Sequence, residues 1–87
     1  MVYLITYDLR KPGQNYDDLY TAIKSVGEWI HPLESTWLVN SQLDAKQIHE
    51  FICQYIDRND NVLVIRVTRD YWGWLPKSCW EWLDARL

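Results

Sequence analysis

The first eight residues constrain this chain more than any others. Val2-Tyr3-Leu4-Ile5-Thr6-Tyr7-Asp8 is apolar, rich in β-branched and aromatic side chains, and stops on an acid, which is the composition of a strand. Alternation along a strand sends Val2, Leu4 and Thr6 to one side and Tyr3, Ile5 and Tyr7 to the other. Both faces are therefore largely apolar, and both need cover. Arg10, Lys11, Pro12 and Gly13 follow at once, so the chain turns there. An acid at a strand end, beside a turn and ahead of a helix, sits where sheets flanked by helices place chemistry. Asp is equally a common turn residue, so Asp8 is a candidate site residue with two readings.

The rest of the chain supplies the elements that could cover that strand. Asn15 is placed to cap a helix whose first turn carries Asp17 and Asp18, where the helix dipole favours acids. Tyr16, Leu19, Tyr20, Ile23 and Val26 follow at helical spacing, and Gly27 reads as the C-terminal stop. Residues 28–33 form a short strand that Pro32 marks as an edge. Residues 35–41, with Thr36, Trp37, Leu38 and Val39, form the next strand after a tight turn. Asp44 and Gln47 have capping-box spacing ahead of an apolar helix face of Ile48, Phe51, Ile52, Tyr55 and Ile56. After a polar turn at 57–61, Val62-Leu63-Val64-Ile65 opens a strand whose unbroken apolar run predicts burial on both faces.

The order strand, helix, strand, strand, helix, strand is the ferredoxin-like βαββαβ pattern. It predicts an α+β fold over residues 1–68: a four-stranded antiparallel sheet with two helices on one face. Right-handed crossovers put the first and third strands at its centre. The end of strand one, the turn between strands two and three and the start of strand four then share one edge. Asp8, Glu34, Ser35 and Asp60 become neighbours there, with Arg10 and Lys11 close by. Such a group could hold a divalent metal and a phosphate; it could equally be a polar rim with no ligand.

Two helices on one face leave the other face bare. Residues 69–87 are the internal candidate for covering it: Tyr71, Trp72, Trp74, Trp80 and Trp82 cluster around Gly73 and a Pro76 suited to a helix start. Aromatic rings can stack on bases, but in so small a domain they more often cover a sheet or join subunits. The expectation is a homodimer, or a sheet covered by this extension.

Composition narrows the function classes. Eighty-seven residues make one domain with a limited core. A net charge of −3 gives no general attraction to nucleic acid, so any such contact needs a local patch, with Arg10, Lys11, Arg66 and Arg69 the candidates. Cys53 and Cys79 lack CxxC spacing and read as free thiols of a reducing compartment. His49 and Cys53, four apart, supply only two metal ligands. No run is long enough to span a bilayer and no signal-peptide pattern is seen, so the expected location is the cytoplasm, with no membrane partner.

Taken together, "YLITYDL", "SVGEWIHPLESTWLV", the capped second helix and "NVLVIRV" resemble the second core CRISPR-associated protein family, the small ferredoxin-like dimers of spacer acquisition. They also resemble its VapD-type and SinR-like relatives. The resemblance covers residues 1 to about 68, and its most specific pieces are Tyr7-Asp8 and Glu34-Ser35-Thr36-Trp37. It implies a dimer in which Asp8 faces its own copy and binds a divalent metal, Mg²⁺, for hydrolysis of RNA or DNA. Ser35 matches the family's hydroxyl at the start of strand three, and Tyr7 the aromatic beside the acid. The expected substrate-binding residues are then Tyr7, Arg10 and Lys11. In the CRISPR branch the protein can instead be a non-catalytic scaffold for an integrase and DNA. The acidic balance and the tryptophan-rich end depart from the family's pattern. Two functions follow as expectations: a metal-dependent endonuclease carried by Asp8 and Ser35, or a non-catalytic dimeric binding protein in a CRISPR or toxin–antitoxin setting, with a protein partner.

Overall fold

A computed structural model describes residues 1–10 and 15–87. Lys11, one of the expected substrate contacts, lies outside them. Strands β1 (Val2–Asp8), β2 (Glu28–Leu33), β3 (Thr36–Asn40) and β4 (Asn61–Arg66) form one sheet in the order β2-β3-β1-β4, and every neighbouring pair is antiparallel. Helices α1 (Asp17–Ser25) and α2 (Ala45–Ile52) make the two crossovers. This is the α+β βαββαβ layout that the sequence pattern predicts, with β1 and β3 central.

One face of the sheet meets both helices. Tyr3, Ile5 and Tyr7 of β1 pack with Trp37 and Val39 of β3, Leu19, Ala22 and Ile23 of α1, and Ile48 and Ile52 of α2. Helix α2 begins with a complete capping box: the Asp44 carboxylate accepts from the Gln47 amide at 2.8 Å, and the Gln47 side chain accepts from the Asp44 amide at 3.0 Å. Phe51 and Tyr55 pair edge-on at a half-exposed margin rather than in the core. At α1 the N-cap position belongs to Tyr16, and Asn15 acts one residue earlier by accepting from the Asp17 amide at 2.9 Å.

Gly27 differs from the C-terminal stop expected of it. The helix ends on Val26 in ordinary helical conformation. What position 27 requires is space, because a Cβ there would lie 2.0 Å from the Asn40 carbonyl oxygen of β3. Strand β4 also differs from expectation. It is an edge strand, so Val62 and Val64 pack toward the helices while Leu63 and Ile65 stay 55% and 45% exposed on the other face. Pro32 sits in the opposite edge strand, within the irregular register between Ile30 and Leu33.

The second face is half covered by the chain's own end. Helix α3 (Lys77–Arg86) lays Leu83 against Val2 and Leu38, with Leu4, Ile30, Val67, Tyr71, Trp80 and Trp82 around them. Arg86 ties this helix to the sheet, donating to Glu28 at 2.7 Å while its guanidinium lies 4.5 Å from the Trp82 ring centre. The rest of the face is open: Leu33, Leu63 and Ile65 remain exposed, and Trp72 and Trp74 are 100% and 98% exposed. No helix among the described residues is long and apolar enough to cross a membrane.

Candidate functional site

Asp8 ends β1 in the row Val2, Leu4, Thr6, on the face turned away from α1 and α2. It pairs with Asn61 at the start of β4 and borders a shallow hollow of about 260 Å³ shared with Thr6, Asn61 and Leu63. Arg10 folds back onto it, placing Nη2 at 2.6 Å and Nε at 2.8 Å from the same oxygen, Oδ2. Oδ1 accepts no hydrogen bond among the described residues. Both side chains are about 60% exposed, and an ion pair that open to water contributes roughly 0–1 kcal/mol. A phosphate or a cation can therefore separate the pair at little cost.

The antiparallel register brings Ser35 to the same edge. Its carbonyl accepts from the Tyr7 amide and the Thr6 hydroxyl, each at 3.2 Å, and the residue is exposed. Thr6 and Thr36 join their hydroxyls across the strands at 3.2 Å. Asp8, Thr6 and Ser35 thus line one accessible edge, with Arg10 over the acid.

Two residues at this edge have other roles. Tyr7 points away from Asp8 into the helix-side core, where it is 9% exposed. Its hydroxyl accepts from Trp37 Nε1 at 3.0 Å. Burial raises the pKa of that phenol; the Trp37 hydrogen bond lowers it only in part, and Tyr20 raises it further. Through this bond Tyr7 holds the Trp37 indole in the core. Asp60 is buried and holds three segments together. It accepts from the Arg10 amide at 2.7 Å, from the Asp57 amide at 2.8 Å and from the Tyr16 hydroxyl at 3.0 and 2.9 Å. Burial pushes this carboxyl's pKa up, but the three donors outweigh it and hold the group below the usual carboxylate range. Asp60 positions the backbone of Arg10 and so the chain just after Asp8.

The described residues of one copy bring together no set of magnesium ligands. Asp8 is a single carboxylate with an arginine on one oxygen, and no group of three or more His, Cys, Asp or Glu side chains converges among the described residues. His49 and Cys53 fall under the same finding, and the Cys53 thiol donates to the Glu50 carbonyl at 3.3 Å. His31 stacks on Trp37 with ring centres 3.8 Å apart, and its Nε2 lies 3.0 Å from the Glu34 carbonyl. Lys24 adds its ammonium 4.9 Å from the Trp29 ring centre and 5.9 Å from that of Trp37. This aromatic cluster lies beyond the reach of sequence spacing, because its members come from α1, β2 and β3.

No protein-family model matches the chain, and a search of curated proteins finds no match.

Proposed function

We propose that this chain is a metal-dependent endonuclease of RNA or DNA that works as a homodimer, each copy contributing Asp8. The observation that carries the reading is where the acid stands. Asp8 is accessible at the end of a central strand, on the sheet face whose Leu33, Leu63 and Ile65 are left uncovered by α3. An isologous contact through that face gives each copy the same neighbours and adds the second carboxylate that one copy lacks. Mg²⁺ held between two Asp8 carboxylates would supply charge to offset the phosphate. The chain's own residues do the remainder: Arg10 leaves its exposed pairing with Asp8 to meet the phosphate backbone, and the exposed Ser35 hydroxyl offers a donor along the same edge.

A second reading is a non-catalytic binding protein. The Arg10 pairing with Oδ2 and the absence of a three-ligand group among the described residues favour it. Labelled RNA and DNA incubated with and without Mg²⁺ or Mn²⁺ separate the two readings. Metal-dependent cleavage by the wild type, lost in an Asp8→Ala variant of the same oligomeric size, is the expected result. Intact substrate with a folded wild-type dimer would select the binding protein.

A further inference from the structure

The segment between β4 and α3 leaves polar and aromatic groups that the fold does not use. Two tryptophans separated by Gly73 stand 100% and 98% exposed, although an indole is among the most costly side chains to leave in water. Trp72 walls a cleft of about 460 Å³ whose other sides are Tyr71, Trp80, Arg69 and Asp84. Tyr71 and Trp80 stack on each other, 5.8 Å between centres and 8° from parallel, forming a rigid aromatic wall. Arg69 and Asp84 border the same cleft, yet neither side chain makes a hydrogen bond or ion pair among the described residues. From Arg66 to Lys77 the chain holds three cations and one acid, against the acidic balance of the whole.

We propose that this cleft binds a nucleotide unit, the base stacking on Trp72 and the phosphate meeting Arg69. The volume suits a ligand of that size. A planar indole face is tolerant of base identity, an arginine is matched to phosphate oxygens, and a free carboxylate can accept from an exocyclic base amine. Trp74, two residues on and equally exposed, offers a second platform for a neighbouring base, which favours a single strand over a free nucleotide. A second protein copy is the competing occupant of the apolar surface, but an arginine and an aspartate beside the rings, neither paired among the described residues, fit a nucleotide better. The inference does not rest on the nuclease reading, since the cleft lies apart from Asp8.

The test is fluorescence anisotropy with a labelled twelve-nucleotide oligo(A) and oligo(dA), whose bases carry the exocyclic amine, in chelator so that cleavage does not enter, with unlabelled AMP as competitor. Trp72 is fully exposed, so its substitution leaves folding intact, and gel filtration checks the size of each variant. The expected result is binding that weakens with salt, falls about tenfold or more in Trp72→Leu and in Arg69→Ala, and survives in Trp72→Phe. Competition by AMP at concentrations comparable to the oligonucleotide would assign a free nucleotide as the ligand; weak competition assigns a strand. Absent binding, or equal affinity in Trp72→Leu, overturns the proposal. So does a Trp72→Leu variant that loses a dimer while oligonucleotide affinity stays unchanged, which would make the ring a protein contact.

Discussion

Asp60→Ala removes the acceptor shared by the Arg10 and Asp57 amides and the Tyr16 hydroxyl. Charge-assisted bonds to a buried carboxylate make this an expensive deletion, and a loss of about 2–4 kcal/mol of unfolding free energy is expected in denaturant titration. The pH dependence has a definite sign. The folded state holds this carboxyl below its ordinary value, so the stabilisation is fully present above about pH 4 and is lost as pH falls through the lower folded-state value. The gap between wild type and Asp60→Ala should therefore narrow from pH 7 to pH 3; a constant gap would mean that the carboxylate charge contributes nothing. Tyr7→Phe makes the contrasting case. It takes the acceptor from Trp37 Nε1 in a buried site, which predicts a loss of about 1–2 kcal/mol with substrate affinity unchanged. Neither role was legible along the chain. Asp8 and Asp60 look alike as strand-flanking acids, and only the folding of distant donors onto Asp60 makes one structural and leaves the other open.

Elements were more legible than residues, because period and capping are local properties. Asp44 and Gln47 announce α2 by spacing alone, and Asp44→Ala is expected to cost about 1 kcal/mol. Strand β2 keeps its sequence-derived limits, since Pro32 and the turn after it act within a few residues. Failures arise where an element's neighbours decide its role. Val62-Leu63-Val64-Ile65 has the pattern of a strand buried twice, yet β4 ends up at the sheet edge with one row exposed. Gly27 has the pattern of a helix terminator, yet its constraint comes from the Asn40 carbonyl on another strand. That distinction is measurable. A glycine serving as a left-handed stop tolerates Asn, whereas a glycine serving close approach tolerates no Cβ. Gly27→Ala and Gly27→Asn should both lose about 3 kcal/mol or more in thermal unfolding, as overpacking does; near-wild-type stability of Gly27→Asn would restore the stop.

At the scale of the whole molecule the issue is how a two-faced sheet of 87 residues finds cover on both sides. The helix face is complete, but α3 reaches only the Val2, Leu38 and Ile30 end of the other face. The uncovered remainder carries Leu33, Leu63, Ile65 and the candidate acid Asp8. Exposed aliphatic side chains in a row on an edge strand invite pairing with another chain. If that face joins two copies, Leu63→Lys with Ile65→Lys should reduce the sedimenting mass to that of one 10.5 kDa chain. The monomer should remain folded, because both side chains are about half exposed already and surface changes of this kind shift stability by roughly 0.5 kcal/mol. Leu63 shares the Asp8 hollow and Ile65 does not, so Ile65→Lys alone is the variant that should lose both pairing and Asp8-dependent cleavage if the chemistry needs the dimer. A wild type that sediments as a monomer at every concentration would remove the second carboxylate. The function would then rest on the tryptophan cleft and the cations around it, a binding surface on a chain with no reaction centre of its own.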